Sequence, residues 1–246
     1  VVDGRTAFVG GYNIGTRYAT EWRDTHICIQ GPNARELESI CIDFWNMYRR
    51  RHLPPLPELK GRDWDTLMVI HRNDPHMLIF PIRNSYLEAI NRAEQHIYMT
   101  HAYFIPDRIV LHALLQAAAR GVDVRILLPA TSNHVVADWL ARGFYTQCLS
   151  GGVRLFLYQN AMVHAKTATI DGIWSTIGTA NLDRLSLLGN FEVNGEIHDA
   201  SLAQQMEEIF LQDATNAREL VLSRWKQRSP LWVFAETILL PLRPLL

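Results

Sequence analysis

The chain has 246 residues, 48% of them hydrophobic and 20% charged, with a formal net charge of −1. That length and balance suit a globular protein with a sizeable core and exclude a disordered or fibrous chain. The near-neutral charge excludes a general polyanion binder, so any attraction for phosphate has to be built locally.

No run of about 18 apolar residues is present, so the sequence contains no evident transmembrane helix. Cys28, Cys41 and Cys148 are scattered and odd in number. They read as reduced thiols facing a cytosol, not as a disulfide framework or a zinc site.

In chain order, residues 1–30 predict strands and a turn: TAFVGG and HICIQG each lead β-favouring residues into glycine. Residues 31–52 predict a helix with Pro32 at its start and Leu37, Ile40, Cys41, Phe44 and Trp45 on one face. LPPLPELKG at 53–61 is a proline-rich linker. Beyond it come a strand near 66–71, a helix near 82–95, a strand near 96–101 and a helix near 107–120. A strand near 122–128, a helix near 134–150 and a strand near 153–158 follow. This alternation predicts an α/β layered sheet. Residues 164–197 read as a β-rich hairpin region and 199–213 as a closing helix. The expected units are 1–60, 61–225 and an apolar tail at 226–246. The tail is too short and proline-broken to span a bilayer. It would either pack on the core or lie in a membrane interface through Trp232 and Phe234.

The stretch VHAKTATIDGIWSTIGTANLDRLSLLGNFEVNGEIH at 163–198 holds His164, Lys166, Asp171, Gly178, Asn181 and Glu192. Asp171, Gly178, Asn181 and Glu192 each lie 168 positions after Asp3, Gly10, Asn13 and Asp24. Four matches at one offset indicate an internal duplication. The counterparts of His164 and Lys166 would precede Val1. The chain is therefore expected to be a fragment that starts inside its first motif and lacks one histidine and one lysine.

His164 and Lys166 are two apart, so on a strand they share a face with Ala168 and Ile170, while Thr167 and Thr169 point away. Gly178 and Asn181 are expected at a turn where backbone N–H groups approach a phosphate, with Thr179 beside them. Asn181 can donate to a phosphoryl oxygen and Lys166 places a charge beside it. Asp171 lies an odd number of positions from His164 and reads as a buried orienter. His52, His71, His76, His96, His112 and His134 read as structural or surface residues. Arg49, Arg50 and Arg51 read as a solvated helix end, with a lipid headgroup contact as the alternative. Tyr103, Phe104 and Pro106 read as core and turn residues.

His164-x-Lys166-x4-Asp171-x6-Gly178-x2-Asn181 resembles the HKD signature of the phospholipase D superfamily, and the flanking blocks resemble bacterial cardiolipin synthases. Those blocks are GTANLDRLSLLGNFE at 178–192, VVDGRTAFVGGYNIG at 1–15, WRDTH at 22–26, YFIPD at 103–107, GVDVRILLP at 121–129 and GGVRLFLYQ at 151–159. The resemblance runs from residue 1 to about 215.

It implies a phospholipase D-like fold: two related α/β halves, each a mixed sheet flanked by helices, with one active site at their pseudo-twofold interface. It also implies a phosphohistidine mechanism without metal or cofactor, with His164 as general acid and base. Glu192 would orient His164, and Asp24 would orient the lost histidine. Asn13 and Gly10 remain as phosphate-side residues of the first motif, and Asp3 as a frayed chain end. The implied reaction is phosphatidyl transfer from phosphatidylglycerol, or with phosphatidylethanolamine as one donor, to give cardiolipin. The implied place is a membrane surface, the cytoplasmic face of a bacterial inner membrane. A phospholipase D hydrolase and an inactive module that binds membrane phosphate are the alternatives. Nucleic acid is disfavoured, because a basic groove with interleaved aromatics is missing.

Overall fold

The computed structural model of the chain describes residues 1–59 and 67–229. The elements are β1 (Thr6–Gly10), α1 (Thr16–Thr20), β2 (His26–Gln30), α2 (Pro32–Tyr48), β3 (Met68–Asn73), α3 (Pro81–Arg92) and β4 (His96–His101). Then come β5 (Phe104–Ile105), α4 (Arg108–Ala119), β6 (Asp123–Pro129), α5 (Val135–Ser150), β7 (Arg154–Tyr158), β8 (Lys166–Ile170) and β9 (Trp174–Gly178). The chain closes with β10 (Leu182–Asp183), α6 (Arg184–Leu188), β11 (Glu192–His198), α7 (Ala200–Thr215), β12 (Ala217–Glu219) and α8 (Leu222–Lys226). Every long element expected from the sequence is present within a few residues. Residues 60–61 of the linker and residues 230–246 of the apolar tail lie outside the described residues. Among the described residues no helix is long and apolar enough to cross a membrane.

Eight strands form one mixed sheet in the order β12-β7-β6-β4-β8-β9-β11-β3. β4, β6 and β7 run parallel, as crossovers through α4 and α5 require, and the others are antiparallel. Pleating sends Ile97, Met99, Ile126, Leu128, Ala168 and Ile170 to one face, where α3, α4 and α5 cover them. Leu127 and Phe156 point the other way and meet Phe210 of α7. Local chemistry sets the helix starts. Pro32 and Pro81 stand in the first turns of α2 and α3. Asp107 caps α4 by accepting from Ile109 N at 2.8 Å and Val110 N at 3.0 Å, and it also takes Arg83 Nε at 2.6 Å.

The duplication is visible as register. Gly10 faces His26 in the β1–β2 hairpin, and Gly178 faces Asn194 in the β9–β11 hairpin, so both partners move by 168. α1 and α6 span matching positions, and α2 and α7 begin at matching positions. Asp3 (φ 49°) and Asp171 (φ 53°) hold the same left-handed turn, followed by Gly4 and Gly172. The two hairpins pack together: Ala7, Val9, Ile29, Ala34 and Leu37 share a core with Met68, Ile70 and Ile197.

Two expectations change. Cys41, Phe44 and Trp45 of α2 are exposed, and the buried positions are Asn33, Ala34, Leu37 and Ile42. α2 is therefore covered only as far as Ile42, and its last turns are exposed. Gly10 and Gly178 are not turn residues aimed at a phosphate but strand ends pressed against a neighbour. A Cβ on Gly178 would sit 2.1 Å from Asn194 Oδ1, and one on Gly10 would sit 2.3 Å from the Thr25 carbonyl oxygen.

Glu196 of β11 ties the second hairpin to the helices. Its carboxylate accepts from His71 Nε2 (2.6 Å), Ser85 Oγ (2.6 Å), Trp174 Nε1 (2.9 Å) and His198 Nε2 (3.0 Å). Burial alone would raise its pKa, but the hydrogen bonds to His71, Ser85, Trp174 and His198 outweigh burial and hold it well below 4.5.

A depressed carboxylate contributes stability that is complete above its unfolded pKa and is lost as pH falls through the folded value. Glu196→Gln is expected to lower stability by about 1–3 kcal/mol at pH 7 and to flatten the pH dependence below about 4.5, measured by urea unfolding across pH. Gly178→Ala is expected to cost about 1–3 kcal/mol by overpacking against Asn194, read as a lowered Tm.

Candidate active site

The site forms where the two hairpins touch. Arg23 and Val163 make a parallel bridge: Arg23 N donates to the Met162 carbonyl at 2.9 Å and His164 N donates to the Arg23 carbonyl at 2.7 Å. This pairing lays residues 22–24 beside 162–164. It brings Asp24 Oδ2 to 3.0 Å from His164 Nδ1. The Asp24 side chain is 2% exposed and that of His164 11%. Asp24 is also held by Thr25 N, which donates to Oδ1 at 2.7 Å. The imidazole lies between aromatic rings, with Trp22 at 5.1 Å and Tyr18 at 5.3 Å between centroids.

β8 starts at Lys166, and alternation places that side chain on the His164 side, as the spacing predicted. Lys166 Nζ is 3.0 Å from both ring nitrogens of His164 and also reaches the His164 carbonyl oxygen. Burial lowers the Lys166 pKa to about 8, although Asp24, Glu192 and Asp183 pull it upward. An acid and a cation thus bear on one imidazole. Nδ1 is the nitrogen that meets Asp24, and Nε2 has Lys166 as its neighbour. Among the described residues no group of three or more His, Cys, Asp or Glu could hold a metal ion.

The predicted residues divide. Asn181 is 7% exposed, and its Oδ1 has no hydrogen-bond partner among the described residues. Asn13 is exposed and donates to Tyr18 Oη at 2.9 Å, one ring away from His164. Glu192 does not orient His164. Its carboxylate accepts from Thr179 Oγ1, and burial raises its pKa. Asp24 of the first copy takes that role, because the contact crosses between copies. Asp171 is not in the site. It lies at the far end of β8 and accepts from the backbone N–H of Glu94, Gln95 and His96, each at 2.8 Å. There it brackets the start of β4. Asp3 occupies the matching turn and is exposed. Thr179 serves Glu192, and its Oγ1 also accepts from Val193 N at 3.0 Å.

Sequence reasoning missed four neighbours. A Cβ on Gly11 would lie 2.6 Å from the His164 carbonyl and 2.7 Å from Asp24 Oδ1, so only glycine lets the hairpins close here. Trp22 stood inside the WRDTH block, which was the only signal for it. Asp183, 7% exposed, caps α6 through Ser186 N at 2.6 Å, and burial raises its pKa. His101 pairs with Lys166 across β4 and β8, and neither of its ring nitrogens has a partner among the described residues. Burial, and then Lys166, lowers its pKa to about 3, so it stands neutral beside the lysine. Of the aromatic block, Phe104 is core, and Tyr103 Oη donates to Asn133 Oδ1 at 2.6 Å.

The family described as "Cardiolipin synthase, PLD-like domain" matches residues 86–214, just over half of the chain. A cardiolipin synthase of Listeria innocua is 33% identical over 261 residues, covering 100% of this chain and 53% of that protein. The major cardiolipin synthase ClsA of Bacillus subtilis is 33% identical over 95% of this chain and 50% of its own length. The chain spans about half the length of the curated relatives it matches. Among solved structures, Nuc from Salmonella typhimurium, a phospholipase D family member, superposes with TM-score 0.54 at 22% identity, covering 63% of this chain and 99% of its own. Phosphatidylserine synthase from Haemophilus influenzae superposes with TM-score 0.68 at 14% identity, covering 98% of this chain and 67% of its own. Those two likenesses show the fold. The domain match establishes that the chain belongs to the phospholipase D-like family of cardiolipin synthase domains.

Proposed function

We propose that the chain carries part of a phosphatidyltransferase site of the cardiolipin synthase kind, working through a phosphohistidine at a membrane surface. The observation that carries the reading is the coupling of Asp24 to His164 Nδ1, with Lys166 against the same ring. The relatives named cardiolipin synthase over the whole chain support the same choice. The expected substrates are phosphatidylglycerol molecules, with phosphatidylethanolamine as a further donor, at the cytoplasmic face of a bacterial inner membrane. No cofactor is needed.

The chemistry requires a second imidazole opposite His164. By the 168-residue relation, Glu192 is to that imidazole what Asp24 is to His164. The second imidazole attacks phosphorus, and the bond from phosphorus to the glycerol oxygen breaks. His164 Nε2 delivers its proton to that oxygen as the bond breaks, because an alkoxide is a poor leaving group. Asp24 stabilises the protonated ring. His164 then takes the proton from the hydroxyl of a second phosphatidylglycerol, whose oxygen attacks phosphorus and breaks the phosphorus–nitrogen bond. The products are cardiolipin and glycerol. Lys166 and Asn181 hold the non-bridging oxygens as charge gathers on them.

Labelled phosphatidylglycerol supplied to the full-length protein tests the reading directly. Cardiolipin supports it. Phosphatidic acid, the product when water replaces the second alcohol, would mean a hydrolase. No turnover would mean a module that only binds phosphate. His164→Ala is expected to lower turnover about 10²–10⁴-fold, with partial recovery on a substrate whose leaving group is a nitrophenolate, since that group departs without a proton. Lys166 is charged below its pKa of about 8 and neutral above it. The kcat/KM is therefore expected to fall as pH rises through about 8, and a flat profile from pH 7 to 9 would remove Lys166 from phosphate stabilisation.

A further inference from the structure

The geometry points to the sheet edge that carries the site as the surface that sits on an anionic phospholipid bilayer. The inference rests on the phosphatidyl transfer reading and says which face of the molecule meets the lipid. Strand register defines that edge. Gly10 faces His26, Asn73 faces Glu192, His101 faces Lys166 and Pro129 faces Tyr158, so the loops after β1, β3 and β6 all leave on the side where the site opens.

These loops and the helix start beside them carry exposed apolar side chains. Ile14 after β1 is fully exposed, Val135 and Val136 open α5, and Met77, Leu78 and Ile79 follow β3. The last group is held rigidly. Asp74 N donates to the Ile79 carbonyl at 2.8 Å and Ile79 N to the Asp74 carbonyl at 3.0 Å. Asp74 Oδ1 accepts from His76 N at 3.1 Å and Met77 N at 3.2 Å. The turn keeps Leu78 at φ 55° and 77% exposed, a backbone conformation and an exposure that both run against leucine. A fixed turn that spends its hydrogen bonds on presenting Met77 and Leu78 to solvent suits insertion into a bilayer better than a loop that could fold them inward.

The turn joins the site through a cluster of rings. His76 lies 5.5 Å from Tyr48 and 5.4 Å from Phe191, and Phe191 lies 5.2 Å from Phe44. Phe191 directly precedes Glu192. Charge agrees. α2 ends at this cluster and is followed by Arg50 and Arg51, both exposed. Arg17 of α1, Arg184 of α6 and Arg108 at the start of α4 are also exposed on this edge, with Glu21 as an exposed acid among them. The opposite edge exposes Leu67 and Ile173, and there Arg92 is paired with Glu88 at 2.6 Å. Five exposed arginines thus stand at the end of the sheet where the site opens. Apolar side chains for the acyl layer, rings for the interface and arginines for the headgroups together specify an anionic lipid surface.

The test is cosedimentation of the chain with vesicles of phosphatidylglycerol mixed into phosphatidylcholine, against phosphatidylcholine alone. Wild type is expected to partition more strongly to the phosphatidylglycerol vesicles, and added salt to reduce the difference. A variant carrying Ile14→Ser, Met77→Ser and Leu78→Asn is expected to lose ten-fold or more in partitioning. Asn accepts the left-handed backbone at position 78, so an unchanged Tm should accompany the loss. Arg50→Gln with Arg51→Gln is expected to remove most of the preference for phosphatidylglycerol. Wild type that fails to sediment with either vesicle, or a triple variant that sediments as wild type does, would overturn the inference. Because binding needs no turnover, the result stands apart from the product assay that decides the reaction.

Discussion

The whole site depends on one backbone contact between copies, the short parallel pairing of Arg23 with Val163. Without it Asp24 would belong to a surface apart from His164 and Lys166. With it, an ammonium only 4% exposed lies within electrostatic reach of Asp24, Glu192 and Asp183. A buried lysine is costly unless carboxylates accompany it, and buried carboxylates are costly unless a cation does. Each group is therefore tolerable only when the hairpins have closed. Assembly of the fold and assembly of the charge cluster are one event.

That closure explains which parts of the site were legible in the sequence. His164 and Lys166 were, because a two-residue spacing on a strand needs no tertiary information. The duplication was legible too, and the paired registers of Gly10 with His26 and Gly178 with Asn194 show it in the fold. The partner of His164 was not. An offset tells that Asp24 and Glu192 are equivalent, but it cannot tell which copy each carboxylate faces. In a pseudo-twofold arrangement they are exchanged. Asp171 misled for a related reason: it repeats with the motif because the turn into β9 repeats, not because the chemistry does.

The long strands and helices were legible because their apolar periods run for several residues. α1, α6, β5, β10 and β12 are too short to show a period, so only the folded context reveals them. The exposed half of α2 was misread because a helical apolar stripe signals that something covers it without saying what. Phe44 and Tyr48 instead meet Phe191 and His76 at the molecular surface. His101 gave no signal, since its role comes entirely from lying across the sheet from Lys166.

The matched hairpins also bear on how such a chain can diverge. Between Gly10 and Asp24, and again between Gly178 and Glu192, the chain leaves a strand, makes one short helix and returns with a carboxylate at the same count. Surface loops ordinarily accept insertions, because lengthening them costs little closure entropy. The exception is the short stretch from Asp24 to His26, where one added residue would shift Asp24 away from His164 as the following strand resumed its register. The two segments have already changed letters, as Tyr18 against Ser186 and Trp22 against Asn190 show, while their lengths match.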